Sequence, residues 1–233
     1  MTNKHAYLIM AHNDFAILIE ILKELDHKRN DIFVHIDVKT KVVPEEQIKA
    51  AVREGTLHLI PRMSVSWGGY SQIECELRLM KYAVNASQYA YYHMSTGATF
   101  PLKSAEEILC FFDEHGGSQF IGYDNSKDYS GRVQRYNIFN EIGKATTKCA
   151  QRKAFCRNKL RGLQKKLGYI YKPARGVEFK KGFVYWSLTE DAVKYVLDKS
   201  DEIKRVFKHS FCGDVAMAAH GYPSTTIVKK QPN

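Results

Sequence analysis

The chain has 233 residues, 44% of them hydrophobic, enough to bury a full core, so disorder is excluded and one domain of α/β size is expected. No run of about 18 or more apolar residues occurs, and Met1 to Lys4 leads straight into an apolar run without a charged leader, so neither a signal peptide nor a transmembrane segment is expected. The net charge of +10 is concentrated: residues 144–181 hold 13 Lys/Arg against one acid, a net of +12, whereas the remainder carries 22 basic against 24 acidic residues, or −2.

His5 to Ala11 is an apolar run that reads as a strand, and Phe15, Leu18, Ile19, Leu22 and Leu25 then recur at helical spacing. Ile32 to Asp37 predicts a second strand, Pro44 opens a short helix, and Thr56 to Ile60 makes a third strand. Ser71 can cap a helix whose apolar face uses Ile73, Leu77, Met80 and Val84; a strand over Tyr89 to Met94 follows. Ser104 with Glu107 matches a capping box at the start of the next helix. This alternation through residue 122 implies βαβ units, a mostly parallel central sheet with helices on both faces, and ligands at the carboxyl edge of that sheet.

After Tyr123 the pattern changes to a polar loop over Asp124 to Gly131, a mixed aromatic and basic stretch over Arg132 to Asn140, and then the basic segment. Gly182 to Leu188 returns to strand character, Thr189 to Leu197 reads as a helix, and Ser210 to Ala219 as a loop entering a last helix. The chain is thus expected to be one domain over 1–233, with a nucleotide-binding α/β half at 1–122, since nucleotides favour that sheet edge, and a second half at 123–233 that holds the basic segment. Five cysteines (Cys75, Cys110, Cys149, Cys156, Cys212) form no C-x-x-C pair, which argues against a disulfide framework and a zinc site and fits a reducing cytoplasm.

Neither G-x-G-x-x-G nor G-x-x-x-x-G-K-[ST] is present, which disfavours nicotinamide and P-loop enzymes. Two polar, glycine-containing turns stand out: Val65-Ser-Trp67-Gly68-Gly69-Tyr-Ser71 opening a helix, and Ser95-Thr96-Gly97…Phe100-Pro101-Leu102-Lys-Ser104 after a strand. Trp67 reads either as a core anchor or as a sugar platform, and the glycine pair either as a tight turn or as a place where backbone N–H groups approach an anion at a helix start. Asp37 closes the second strand, where an acid either caps a turn or accepts hydrogen bonds from a base or ribose.

The Trp67-Gly68-Gly69 and Ser95-Thr96-Gly97…Phe100-Pro101-Leu102 pairing, with His35-Ile36-Asp37, resembles the core-2/I-branching family of glycosyltransferases, which includes β-1,6-N-acetylglucosaminyltransferases and peptide O-xylosyltransferases. The resemblance implies a GT-A-like domain and a UDP-sugar donor, with Asp37 contacting the nucleotide and Met10, Ala11 and His12 lining its pocket. It implies a wall of the sugar pocket at Ser95 to Phe100, and an acceptor that is a glycan or protein hydroxyl. No Asp-x-Asp occurs, in keeping with a family that works without a metal or other cofactor and steadies the leaving diphosphate with Arg and Lys.

Gly182-Phe183-Val-Tyr185-Trp186-Ser-Leu-Thr189 resembles a further family element, with Phe183 in place of the usual serine. Tyr185 and Trp186 alternate faces on a strand, so one belongs to the core and the other can border the acceptor site; both are carried as candidates. At Phe211-Cys212-Gly213-Asp214-Val215 the family's catalytic glutamate is missing. Val215 takes its place in an ungapped alignment, and Asp214 is the nearby carboxylate that can act as base, or else a helix N-cap. The family's diphosphate-binding Arg and Lys fall further along, so the chain is expected to be short at its C-terminal end.

Two non-catalytic alternatives follow. One is a catalytically impaired nucleotide-sugar or glycan-binding member of the same family. The other is nucleic-acid binding through residues 144–181, with Phe155, Tyr169 and Tyr171 as stacking candidates; the same segment reads otherwise as a solvated basic helix and loop or, more favoured than nucleic acid, as a peripheral contact to an anionic membrane surface that carries the acceptor.

Overall fold

The computed structural model describes residues 3–124, 130–174 and 181–210. In chain order the elements are β1 (His5–Ala11), α1 (Phe15–Leu25), β2 (Asn30–Ile36), α2 (Glu45–Ala50), β3 (Thr56–Leu59), α3 (Tyr70–Ala86), β4 (Tyr91–Thr96) and α4 (Ala105–Glu114). There follow β5 (Phe120–Asp124), α5 (Ser130–Val133), a 3-10 turn at Asn140–Ile142, α6 (Lys148–Lys166), a second 3-10 turn at Lys172–Ala174, β6 (Lys181–Thr189), α7 (Glu190–Asp198) and α8 (Ser200–Phe207).

The strands form one six-stranded sheet in the order β3-β2-β1-β4-β6-β5. β3, β2, β1 and β4 run parallel, and β6 lies antiparallel between β4 and β5. The mixed α/β class and the mostly parallel sheet are as expected. The reversal of β6 is not legible in its residues, because local alternation reports faces and not direction.

Alternation along β1 divides the core in two. Ala6 and Leu8 face α3, α7 and α8, with Met80, Tyr92, Met94, Trp186, Val193 and Phe207. Tyr7, Ile9 and Ala11 face α1 and α2, with Leu18, Leu22, Val34 and Ile48. Helices therefore cover both faces, which is what buries a parallel sheet.

Boundaries shift by one or two residues where caps decide them. Ser104 makes the full capping box expected of it: its side chain accepts from the Glu107 amide, and the Glu107 carboxylate accepts from the Ser104 amide. Ser71, expected as a cap, lies inside α3; the N-cap is Gly69, and Ser71 Oγ instead accepts from the Ser66 amide at 2.8 Å. The fourth strand begins at Tyr91 and runs on to Thr96. α8 escaped the periodicity argument because its eight residues carry only Ile203, Val206 and Phe207 as an apolar face.

Candidate active site

β1, β2 and β4 end together, and β6, running the other way, enters the sheet at that same edge. The register sets Met10 beside Thr96 and His35, and Ala11 beside Ile36. Gly97 donates its amide to the Met10 carbonyl at 2.8 Å, and a Cβ there would stand 2.8 Å from that of Ala11, so only glycine lets the β4 turn close on β1. Met10, Ala11, His12, Ser95, Thr96 and Gly97 are thus brought to one place, with His12 exposed and Met10, Ser95 and Thr96 partly so.

Asp37 sits just past β2 at 6% exposure. Its amide donates to the Ala11 carbonyl at 3.0 Å, tying β2 to β1. One carboxylate oxygen accepts from the Lys39 amide at 2.8 Å; the other accepts from the Val65 amide at 3.3 Å and lies 3.3 Å from the Lys39 ammonium. Arg62 donates to the backbone carbonyl of Asp37 at 2.7 Å and to that of Thr40. Upstream, His35 Nε2 accepts from the Met63 amide at 2.9 Å, which puts its proton on Nδ1; burial holds this ring's pKa below the ordinary value. The turn-capping and ligand-facing readings of Asp37 are not exclusive: the two backbone donors orient a buried carboxylate beside two cations.

The Asp37–Val65 contact carries the edge on to Trp67, Gly68 and Gly69. Trp67 is 51% exposed, so the core-anchor reading does not hold. Gly68 has φ +77°, the left-handed region where glycine is unstrained.

The amides of Gly68, Gly69 and Ser71 have partners within the protein, which favours the tight-turn reading of the glycine pair over an anion approaching the helix start. Gly68 N–H donates to Gln72 Oε1 at 2.7 Å, and Gly69 N–H to the Ser66 carbonyl at 2.9 Å. The start of α3 already holds a carboxylate: Glu141 accepts from the Ser71 amide at 3.1 Å and from the Ser71 hydroxyl at 2.6 Å. A Cβ on Gly69 would collide with this same carboxylate. The turn glycine is therefore needed for an internal anion, and nothing near Glu141 in sequence announces a partner 70 residues away.

On β6 the two aromatics separate as alternation requires. Tyr185 is 49% exposed and its hydroxyl accepts from Thr99 Oγ1 at 3.1 Å; Thr99 Oγ1 in turn lies 2.8 Å from Thr96 Oγ1. Trp186 is 6% exposed within the core, so its substrate-contact assignment is corrected to a packing role. Its side chain hydrogen-bonds the Glu76 carboxylate, whose pKa desolvation raises to about 7. Lys39, Arg62, Thr99, Glu141 and Glu76 carry no sequence motif that marks them; Lys39 meets Asp37 two residues away, and the other four act through partners distant along the chain. Asp214 lies outside the described residues. Among the described residues no three His, Cys, Asp or Glu side chains gather as a metal site would require.

A profile of the family described as Core-2/I-Branching enzyme matches residues 5–231. Bovine xylosyltransferase 2 is 27% identical over 129 residues, covering 52% of this chain and 15% of its own length. The human probable β-1,3-galactosyl-O-glycosyl-glycoprotein β-1,6-N-acetylglucosaminyltransferase 7 is 23% identical over 107 residues, 45% of this chain and 25% of its own. The matched portion is thus a quarter or less of each curated relative. Among solved structures, core-mannan synthase A from Aspergillus fumigatus, in its Mn/GDP form, is similar with a TM-score of 0.41 and 10% identity over 89% of this chain and 67% of that one. With the profile spanning nearly the whole sequence, this chain belongs to the core-2/I-branching enzyme family.

Proposed function

We propose that the chain moves a sugar of the N-acetylglucosamine or xylose class from a UDP-sugar to a hydroxyl of a glycan or protein, without a metal and with inversion at the anomeric carbon. The observation that carries this is the buried, doubly braced Asp37 carboxylate at the carboxyl edge of a family-matched sheet. In this reading Asp37 accepts from the nucleoside, Lys39 and Arg62 lend positive charge near the phosphates, and Trp67 and Tyr185 present exposed rings to sugars. The acceptor oxygen attacks the anomeric carbon in line as the bond to the β-phosphate oxygen breaks; UDP departs with the electron pair and a carboxylate takes the hydroxyl proton. Asp214 is the proposed base.

A panel of UDP-sugars, read by UDP release and by calorimetry with UDP, tests the reading; no turnover with any sugar from a folded protein overturns it. The Val215 position favours a second reading, a catalytically impaired binder of nucleotide sugars. UDP binding without turnover selects that reading, and a gain of turnover in Val215→Glu identifies the missing glutamate as the cause.

A further inference from the structure

Helix α6 departs from how a domain normally clothes itself. Its 19 residues include eight Lys/Arg and no acid. Surface helices relieve such charge with acids three or four residues away; within α6 the i, i+4 neighbours Lys148/Arg152 and Arg161/Lys165 are like-charged instead. Folding returns little for this, since only Arg157 and Gln164 are buried. Gln164 fixes the inward side: its amide group donates to the Tyr136 carbonyl and accepts from the Tyr136 amide, both at 2.8 Å.

With Gln164 inward, the 3.6-residue repeat turns Lys148, Arg152, Phe155, Lys159, Leu163 and Lys166 onto one outward arc, and all six are exposed. Phe155 is 62% exposed and Leu163 53% exposed, and the Lys159 ammonium stands 5.4 Å from the Phe155 ring. Leu167 extends the apolar part beyond the helix end. Cations alone would serve any polyanion. Exposed leucines among them narrow the choice, because a leucine cannot stack on a base but can enter the boundary between lipid headgroups and acyl chains.

We propose that α6 is an interfacial helix that docks this domain on an anionic lipid surface, with Lys148, Arg152, Lys159 and Lys166 at the headgroups and Phe155 and Leu163 inserted. Lipid phosphate offsets the mutual repulsion of these cations, and a helix of this length lies flat over roughly 28 Å. The surface is independent of donor and acceptor chemistry.

Co-sedimentation of the full chain with phosphatidylcholine vesicles, and with vesicles containing phosphatidylglycerol, tests this. Binding is expected only to the anionic vesicles and to fall as salt rises. Lys148→Gln/Lys159→Gln/Lys166→Gln should weaken it on the order of 100-fold, from about fivefold per cation. Phe155→Ser/Leu163→Ser, which keeps every charge, should weaken it by at least several-fold. Equal binding to both vesicles, no binding, or full binding by the Phe155→Ser/Leu163→Ser variant overturns the proposal. So does release from the vesicles by a single-stranded oligonucleotide at matched charge, or a lipid-free dimer that this variant dissociates, since either assigns the surface to another partner.

Discussion

Asp37 is held by two backbone amides and a lysine, so its orientation is set before any ligand arrives. In Asp37→Asn one of the two amides must face an NH2 group instead of an oxygen, and the negative charge is lost. The cost expected is about 1–2 kcal/mol of stability, with UDP affinity falling tenfold or more in the protein that remains folded. Denaturation and calorimetry on the same sample separate the effects: lost stability with unchanged affinity would leave Asp37 as a brace only. Tyr185 and Trp186 show what single residues disclose beforehand. Alternation on a strand puts them on opposite faces, and that much was legible; which face is the core depends on α3, α7 and α8 packing over it, and no residue of β6 carries that information. Glu76, the acid that meets Trp186, was hidden for the same reason, since on α3 it reads as one more polar helix residue.

At the scale of elements, α4 and α3 illustrate local and distant capping. α4 takes its cap from within its own first turn, Ser104 and Glu107, and was legible for that reason. α3 takes its anion from Glu141, on a 3-10 turn that follows β5 and α5, so its start is completed only when the second half of the chain folds onto the first. Glu141→Ala leaves the Ser71 amide and hydroxyl without this acceptor and is expected to cost about 1–2 kcal/mol, whereas Glu141→Gln keeps one acceptor oxygen and costs less. Removing the carboxylate also opens the helix start to free anions, so phosphate should stabilise Glu141→Ala more than the wild type. Equal stabilisation by phosphate in urea melts of the two proteins would show that Glu141 does not occupy an anion position. α6 is the opposite case. Its helical state was only half legible, as a basic helix and loop, because eight charges and a short apolar face give no periodic stripe.

For the molecule as a whole, buried ionisable groups on the two faces of the sheet act in opposite directions on stability. Beneath α4, His5 Nδ1 and His93 Nε2 stand 2.9 Å apart, and His93 Nδ1 lies 2.8 Å from Ser187 Oγ. Burial, then the Arg29 charge, lowers the His5 pKa to about 4 against a partial offset from Asp113; burial and His5 hold His93 well below its ordinary value. The folded protein therefore binds fewer protons than the unfolded chain between about 6.5 and 4, and stability from this pair is complete above 6.5 and lost as pH falls toward 4. On the other face Glu76, raised to about 7 by desolvation, makes the folded state hold a proton that the unfolded chain releases near 4.5, so its contribution is lost as pH rises from 4.5 toward 7. His5 alone is worth on the order of 3 kcal/mol across its window, and Glu76, which is partly open to solvent, about 1–2 kcal/mol. Between pH 4.5 and 6.5 the two slopes oppose, and the wild type is expected to vary less than either group would dictate. Glu76→Gln should steepen the acid loss and raise stability at pH 8, while His5→Gln/His93→Gln should flatten the acid limb and leave a fall toward neutral pH. Urea denaturation at half-unit steps over this range reads both slopes, and a double histidine variant with an undiminished acid limb would place the proton uptake elsewhere in the molecule.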